Sequence, residues 1–397
     1  GFYATVCVSP MADSVKKPRT ESRLPPRRRA RVVVVGVGSW AQGWHLPHLQ
    51  RNEDAQLVAI VDPSTVTWSK YNTEMRPTED VAAMYGVPLF RSFTEFLQSD
   101  SAKNTDGIII SSTHSTHAEI GCKAAEAGFH VLVEKPMTTD VTEAHALVAA
   151  AQQLQLSKKM FMVNHSANFT KNARRAREAI RAGRLGEIEH VTCYMIRERE
   201  FFEDAQNRLW VAAEGSMTGN GFAWGQSCHT LAWVYMVTGL IPESVFCRMT
   251  YSKATGADVF TAALVQCTNG ATICCQGLAG LPGGNAVGSA SQRGKLIENK
   301  IFGSGGCLLY SGDDADPASG RLEIHCSDGS AELEEGFFFE NTSKEGDGPE
   351  SLHCFLRACL GHEVENSSDA SNGLLVVKTI DAMYKSAKEG KPWRLVA

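Results

Sequence analysis

The first half of the chain carries short continuous runs of apolar residues, each followed by a longer stretch of mixed character. Such runs are typical of strands that are buried on both faces of a parallel sheet. We predict strands over residues 32–35, 56–61, 106–110 and 130–133, and helices over residues 68–85 and 116–127. The alternation of strand and helix predicts a doubly wound parallel α/β sheet.

In the second half, apolar and polar residues alternate with a period of two, which is typical of strands with one buried face. Strands of this kind are predicted over residues 244–251, 259–267, 271–277 and 321–325. Helices are predicted over residues 351–360 and 372–388, with Asp369 as a helix-start residue. The pattern therefore predicts a second α/β domain with a different kind of sheet.

The length of 397 residues exceeds what one hydrophobic core usually organises, so two domains are expected. We place the first domain at residues 31–160 and the second at residues 161–397. The last helix of the second domain could pack back on the first.

Composition excludes several classes of protein. Thirty-nine Lys and Arg residues against 44 Asp and Glu residues give a net charge of −5, which offers no general attraction for nucleic acid or anionic membranes. No uncharged apolar run reaches the roughly 18 residues that a membrane span needs, so we expect a soluble protein. The twelve cysteines are scattered without a Cys-x-x-Cys pair. This argues against a disulfide framework and a structural zinc site, and it favours a reducing, cytoplasmic setting.

The first thirty residues differ from the rest of the chain. Positions 16 to 31 contain eight Lys or Arg residues and three prolines, so we expect a disordered basic tail over residues 1–30. Met11 could be the natural start. The run Arg27, Arg28 and Arg29 could be a nuclear-localisation patch or part of a transit peptide, although a solvated tail is the simpler interpretation.

A glycine-rich turn follows the first predicted strand at once. Gly36 permits the tight turn from strand to helix, Gly38 lets a pyrophosphate approach the backbone, and Ala41 allows helix and strand to pack closely. Ser39 and Trp40 complete the turn at the helix N-terminus, where the phosphate would lie. The Gly-x-Gly-x-x-Ala pattern by itself also fits an ordinary turn, so its context decides.

An acidic residue, Asp62, ends the second strand. A carboxylate there can accept hydrogen bonds from both hydroxyls of an adenosine ribose and would repel a 2′-phosphate, which favours NAD over NADP. Lys70 could reverse this preference, and Asp62 could instead cap the turn before Pro63. We therefore predict a dinucleotide-binding Rossmann domain whose cofactor is NAD or NADP.

Polar residues stand at the carboxyl ends of two further strands, where ligands bind in sheets of this kind. Ser112, His114 and His117 follow one strand, and Glu134 and Lys135 follow the other. The two histidines have His-x-x-His spacing but lack a clear third ligand, so contacts with the cofactor or substrate are preferred to zinc. All five residues are expected to contact the cofactor.

Lys135 leaves a buried strand and is held in place by Pro136. Beside the nicotinamide end of the cleft, desolvation and a cationic ring would both lower the pKa of the lysine. It could then exchange a proton with a substrate hydroxyl near neutral pH. The alternative is a surface lysine paired with Glu134.

One histidine, His229, lies within residues 224–233, which otherwise predict a buried helix. It could be a core residue, a metal ligand, the partner of the adjacent Cys228 thiol or a proton-transfer group. The thiol pair is disfavoured because neighbouring helix residues diverge by about 100°. From the residues alone, a core histidine is the simplest of the interpretations that remain.

These motifs resemble the glucose-fructose oxidoreductase, inositol dehydrogenase and rhizopine-catabolism (Gfo/Idh/MocA) family of NAD(P)-dependent oxidoreductases. The resemblance runs from about residue 31 to the C-terminus, and residues 36–41, 45–47, 112–117, 127–136, 176–188 and 381–395 carry it. It implies a Rossmann domain followed by an α/β domain on a largely antiparallel open sheet. The open face of that sheet commonly mediates formation of homodimers or homotetramers.

The family's catalytic residues are the lysine of Glu-Lys-Pro and a histidine in an Asp-x-Gly-x-His segment. The resemblance maps them onto Lys135 and His229. The aspartate of that segment is replaced by Gly225, a second aspartate after the histidine is replaced by Ala232, and a basic pair reads Ser-Ala-Asn at residues 166–168. Either the site has room for a larger substituent or it is adapted to another substrate.

Further residues are candidates for contact with the substrate. Those expected to bind it are Asn164, His165, Trp210, Gln226 and His229. Arg197, Arg199 and Arg208 also fall near the predicted cleft, although ordinary surface or core roles suit them equally well.

The sequence predicts an NAD(P)-dependent dehydrogenase or reductase that transfers a hydride between a nicotinamide cofactor and a secondary alcohol (CH-OH) of a sugar, sugar derivative or polyol. Two alternatives stay open. One is a non-catalytic dinucleotide-binding regulatory protein on the same fold. The other is a glycosidase that uses transient oxidation on a tightly held NAD.

Overall fold

The computed structural model describes residues 28–69, 73–207, 221–281, 295–314, 316–339 and 345–395. Most of the predicted basic tail, Lys70, Arg208 and Trp210 lie outside these ranges.

The secondary structure of the described residues is as follows. The strands are β1 (Ala30–Val35), β2 (Ala55–Val61), β3 (Leu89–Phe90), β4 (Gly107–Ile110), β5 (His130–Val133), β6 (Phe161–Val163), β7 (Ile188–Glu198), β8 (Pro242–Tyr251), β9 (Asp258–Cys267), β10 (Thr272–Leu281), β11 (Leu296–Gly303), β12 (Gly306–Asp313), β13 (Gly320–Cys326), β14 (Ala331–Phe337) and β15 (Trp393–Arg394). The α-helices are α1 (Leu46–Arg51), α2 (Thr78–Tyr85), α3 (Phe93–Leu97), α4 (Asp100–Lys103), α5 (His117–Glu126), α6 (Val141–Leu156), α7 (Lys171–Arg181), α8 (Glu200–Glu203), α9 (Cys228–Thr238), α10 (Glu350–Cys359) and α11 (Ala370–Glu389). Single π-helical turns, Ala41–His45 and Ala223–Ser227, lead directly into α1 and α9.

The N-terminal strands form a parallel sheet in the order β3-β2-β1-β4-β5-β6. The valines of β1 are at most 4% exposed, as expected for a strand covered on both faces. The order of strands reverses between β1 and β4, and their carboxyl ends open a crevice of the kind that binds ligands in such sheets. The predicted doubly wound parallel sheet is confirmed.

The helix predicted over residues 68–85 is shorter than expected, because α2 begins at Thr78. Pro77 directly precedes it, and proline has no backbone N–H to continue a helix. The Thr78 hydroxyl donates to the Ser64 carbonyl, and Trp68 pairs with Glu74 in an isolated β-bridge. The described part of the segment before α2 is therefore a loop rather than a helix.

The second sheet has the order β14-β13-β12-β11-β7-β10-β9-β8-β15 within the described residues. β7 and β10 run parallel, and the other neighbouring strands are antiparallel. The predicted largely antiparallel sheet is thus confirmed. The helices α9 and α11 cover one face, where the Tyr235 and Thr379 hydroxyls lie 2.7 Å apart. Among the helices described, none has the length and apolar character that crossing a bilayer would require.

Two contacts lie close to the domain boundaries that were predicted from the sequence. β1 begins at Ala30, and the Arg28 guanidinium forms an ion pair of 2.8 Å with Asp106. At the other boundary, Phe161 pairs with Val131, so β6 belongs to the first sheet and extends it past residue 160. β6 is only three residues long, too short for a periodic pattern to reveal it. The C-terminal helix α11 packs against both α6 and β8 and so joins the two sheets.

The turn after β1 brings two strand ends into contact. Gly36 has φ = 89°, a conformation that favours glycine. A Cβ atom at this position would lie 2.4 Å from both Cα and N of Ser112, at the end of β4. Gly38 has a backbone conformation outside the left-handed region, and a Cβ atom built on Gly38 would have no other atom within 4 Å. Gly36 therefore serves the fold, while Gly38 leaves the turn open to a ligand.

We predict that Gly36→Ala lowers the free energy of unfolding by at least about 2 kcal/mol, because it adds both backbone strain and a clash with Ser112. Gly38→Ala is the matched control and should change it by no more than about 0.5 kcal/mol. Urea unfolding followed by circular dichroism measures both. Equal effects of the two substitutions would contradict this account of the turn.

Candidate active site

The carboxyl ends of the parallel strands face the start of α9, and one hydrogen bond crosses the crevice between them. Lys135 follows β5, and its Nζ donates to the carbonyl oxygen of Gly225 at 2.9 Å. Gly225 lies in the π-helical turn before α9. Single π turns are common at functional sites because they redirect backbone groups. The predicted reactive lysine is therefore held by the helix that carries His229.

The glycine turn has the shape required to hold a dinucleotide. Gly38 and Ser39 are half-buried and precede the helix, while Ala41 is buried against the sheet. A Cβ atom at Gly38 would have no other atom within 4 Å, so the backbone is open on this side of the turn. Asp62 accepts hydrogen bonds from the backbone N–H groups of Val37 at 2.7 Å and Ser64 at 2.8 Å. Its carboxylate thus shapes the turn, and each oxygen has a second lone pair that a ribose hydroxyl could use.

Glu134 is the centre of a buried hydrogen-bond cluster. Its Oε1 lies 2.9 Å from Nε1 of Trp40, 2.8 Å from Nε2 of His45 and 2.7 Å from Nδ2 of Asn164. Burial alone would raise the pKa of Glu134, but the interactions with His45, Asn164 and Lys135 outweigh it and lower the pKa to about 2. The carboxylate is therefore ionised beside Lys135.

Lys135 is half-buried at the mouth of the crevice, and its peptide bond to Pro136 is cis. Burial lowers the pKa of its ammonium group below the ordinary value. Cys228 and Glu134 oppose this shift, whereas other cations nearby reinforce it. A lysine with a lowered pKa is suited to accept a proton from an alcohol.

His229 lies half-buried at the beginning of α9. Its ring centroid is 6.1 Å from that of His165, which is fully buried and hydrogen-bonded through Nδ1 to the Ser368 hydroxyl at 2.9 Å. Burial, followed by the charge of Lys135, lowers the pKa of His229 well below its ordinary value and that of His165 to about 3. Both rings are therefore neutral at pH 7.

The histidines after β4 have different surroundings. His117 is completely buried, and its ring nitrogens lie 3.1 Å from the carbonyl oxygens of Pro136 and Ser112. It therefore ties the two strand ends together, and no edge of it faces the crevice. His114 is also buried, with its ring 5.6 Å from His117. In the described part of the chain no third metal-ligating side chain joins them.

A buried carboxylate holds the beginning of the segment that carries His229. Asp258 accepts hydrogen bonds from the backbone N–H of Ala223 at 2.7 Å and from the Tyr384 hydroxyl at 2.6 Å. Gly221 approaches so closely that a Cβ would collide with Asp258. Burial raises the pKa of Asp258, and these hydrogen bonds oppose the shift. Asp258 is not among the residues predicted from the sequence, where its one signal is an aspartate at the start of an apolar strand.

Other predicted residues are spread around the crevice. Gln226 is half-buried in the π turn, and Asn164 uses its amide to hold Glu134 and to accept from the Ser351 hydroxyl. Arg199 pairs with Glu203 away from the crevice and is exposed. Trp210 and Arg208 lie outside the described residues.

Two family models match this chain. A family model described as "Oxidoreductase family, NAD-binding Rossmann fold" matches residues 30–165. A model of the GFO/IDH/MocA C-terminal domain matches residues 173–332.

Two curated relatives and one solved structure illustrate the range of the similarity. The 4-carboxy-2-hydroxymuconate-6-semialdehyde dehydrogenase of Sphingobium sp. (strain NBRC 103272 / SYK-6) is 23% identical over 202 residues, 51% of this chain and 56% of that protein. Inositol 2-dehydrogenase of Rhizobium meliloti (strain 1021) is 28% identical over 148 residues, 37% of this chain and 40% of that protein. The matched segments thus span about half the length of these relatives or less.

The solved structure is that of levoglucosan dehydrogenase in complex with NADH and levoglucosan. It superimposes with a TM-score of 0.70 at 14% identity and covers 93% of this chain and 100% of its own. This likeness shows a shared fold. Because the two family models together match more than half of the residues, the chain belongs to the GFO/IDH/MocA oxidoreductase family, and its first domain is an NAD-binding Rossmann domain.

Proposed function

We propose that this protein is a dehydrogenase or reductase that interconverts a secondary alcohol and a ketone on a sugar, sugar derivative or polyol, with NAD favoured over NADP. The observation that carries the proposal is the environment of Lys135. A lysine at the carboxyl end of a Rossmann strand is buried enough to have a lowered pKa and is fixed by the Gly225 carbonyl. A structural lysine would more often keep its charge at the surface.

The hydrogen bond to Gly225 orients the amine for proton transfer. A neutral amine that donates one hydrogen atom to this carbonyl keeps its lone pair for a hydroxyl proton. Glu134 stays ionised beside it and stabilises the ammonium group that forms. In alcohol oxidation, Lys135 would take the hydroxyl proton, and in ketone reduction it would return the proton to the oxygen.

His229 supports the same step from the other side of the crevice. Its neutral imidazole can accept or donate a hydrogen bond, depending on the tautomer. We assign it to binding of the reacting oxygen and to relay of the proton. The buried His165 behind it would hold the ring of His229 in position.

The residues of the turn fit the family's dinucleotide. Gly38 and Ser39 would take the pyrophosphate at the helix N-terminus, Asp62 would reach the adenosine ribose, and Ser112, Glu134 and Lys135 would border the nicotinamide. When bound, the nicotinamide supplies the hydride acceptor or donor, which no side chain can replace. Trp40 lines the same edge, because its indole N–H is bound to Glu134.

The first experiment asks whether the protein binds the cofactor and oxidises alcohols. We expect NADH fluorescence to titrate saturably, with Gly38→Ala weakening binding by about tenfold or more because its new methyl group occupies the pyrophosphate space. A screen of sugars and polyols with NAD, followed at the NADH absorbance, should then identify substrates. Cofactor binding without turnover of any alcohol or ketone would favour a regulatory protein instead.

We predict that Lys135→Met reduces turnover by at least about a thousandfold, because no other amine at that position can take the proton. The affinity for NADH should change by less than about threefold. Lys123→Met is the matched control, since Lys123 lies on α5 in an exposed ion pair with Glu119. Steady-state kinetics and NADH titration of both variants measure this, and turnover retained in Lys135→Met would remove the residue from its proposed role.

A second prediction concerns the pH dependence of alcohol oxidation. The reaction requires neutral Lys135, so kcat/KM should rise with pH through the pKa of this lysine. Glu134 raises that pKa, so Glu134→Gln should move the rising limb of the profile to lower pH. Glu119→Gln on α5 serves as the control and should leave the limb in place. A limb that moves to higher pH in Glu134→Gln would contradict the role given to the carboxylate.

A further inference from the structure

We propose that the substrate carries a carboxylate close to its reacting alcohol, and that Arg197 and Lys295 bind this carboxylate. The proposal rests on the proposed function and narrows it from sugars and polyols to sugar acids and related hydroxy acids.

Strand geometry places Arg197 on the inner face of the second sheet. Side chains along a strand alternate between the two faces. In β7 the buried residues Val191, Cys193 and Met195 face the helices, and Arg197 is the next position in that row. Its side chain is 21% exposed. Met195, the preceding member of the row, pairs with Gly277, where a Cβ atom would lie 2.9 Å from the hydroxyl of Ser227 in the π turn, so the row leads toward the candidate active site.

Lys295 occupies the corresponding position next to β11. The residues Ile297, Asn299 and Ile301 form the buried row of that strand, and Lys295 precedes them with the same parity. The antiparallel register pairs Leu296 with Ile196, which puts Lys295 opposite Arg197. The side chain of Lys295 is 13% exposed. Two cations therefore stand side by side at the end of the inner face.

Each cation also has its own carboxylate. Arg197 donates through Nη2 and Nε to Glu198 at 2.9 and 3.1 Å, and Nζ of Lys295 lies 3.2 Å from Asp314. A guanidinium has five N–H groups and an ammonium three, so both can hold a ligand anion as well. Because the two carboxylates already offset part of the charge, a singly charged carboxylate fits this pair better than a doubly charged phosphate ester.

Arg197 and Lys295 also influence the pKa values of the two proposed proton-transfer residues. Lys295 and Arg197 both lower the pKa of His229 and of Lys135, after the larger effect of burial. At the places where the family resemblance leads us to expect aspartates, this chain has Gly225 in the π turn and Ala232 in α9. The crevice thus lacks these two carboxylates, each of which would repel an acidic substrate.

His165 leaves a polar atom unpaired close to His229. Its ring is 1% exposed, and Nε2 is buried with no hydrogen-bond partner among the described residues, while Nδ1 lies 2.9 Å from the Ser368 hydroxyl. An unpaired buried nitrogen costs free energy.

The test measures binding of matched pairs of ligands to the NADH-loaded protein by isothermal titration calorimetry. The pairs are D-glucuronate with D-glucose and D-galacturonate with D-galactose, within a wider panel of sugar acids and their neutral counterparts, and glucose 6-phosphate represents phosphate esters. We expect at least one acid to bind about tenfold or more tightly than its neutral counterpart and than the phosphate ester. No preference for any acid, or a preference for the phosphate ester, would overturn the proposal.

Variants then assign the preference to the two cations. Lys295→Met and Arg197→Gln should each reduce the preference for the acid by about tenfold while leaving the NADH affinity unchanged, which shows that the protein remains folded. Lys300→Met is the matched control, because Lys300 lies on β11 with the opposite parity and pairs with Glu298. A preference that survives both substitutions in the pair would place the carboxylate elsewhere and refute the assignment.

The same samples separate this proposal from the proposed function. Acid-selective binding without NADH formation from any acid would refute the dehydrogenase while leaving the charge preference standing. Oxidation of neutral sugars and acids with equal efficiency would support the dehydrogenase and refute the preference for acids.

Discussion

The active site depends on two adjacent residues that are bound to different parts of the molecule. Glu134 is bound by donors from the first helix and from the loop after β6, whereas Lys135 reaches across to the backbone before α9. Any movement of the second domain relative to the first would therefore move or break the contact of the lysine.

Each side of this junction is shaped by a π-helical turn. The turn at Ala41–His45 carries the imidazole that contacts Glu134, and the turn at Ala223–Ser227 exposes the carbonyl that accepts from Lys135. In a regular α-helix the Gly225 carbonyl would point along the helix axis toward the N–H four residues later. Asp258 fixes the start of the second turn from the neighbouring sheet, so the position of His229 is determined by strand β9 as well as by its own helix.

The fold was largely predictable because burial leaves a strong periodic signal. The four valines of β1 and the alternation in β8 and β9 indicated strands that the structure contains. β6 is too short to give such a signal. The helix that ends at Tyr85 was predicted to begin too early, because apolar residues continue on the N-terminal side of Pro77.

The site was predictable only where a residue stands in a local motif. Lys135 and Glu134 follow a buried strand and could be found in this way, whereas sheet register places Asp258 under the π turn and Lys295 opposite Arg197. Register depends on contacts between strands far apart in sequence, which a single sequence does not reveal. The contacts of His117 and Asn164 were not predictable either. The ring of His117 lies against the backbone carbonyls of Ser112 and Pro136, and the amide of Asn164 donates to Glu134.

The hydrogen bond from Lys135 to Gly225 has a consequence for the evolution of the site. The acceptor is a main-chain oxygen, so this hydrogen bond does not depend on which side chain residue 225 carries. If Lys135 is the proton acceptor, as proposed, a lineage can exchange the side chain at residue 225 without rebuilding the anchor of that acceptor.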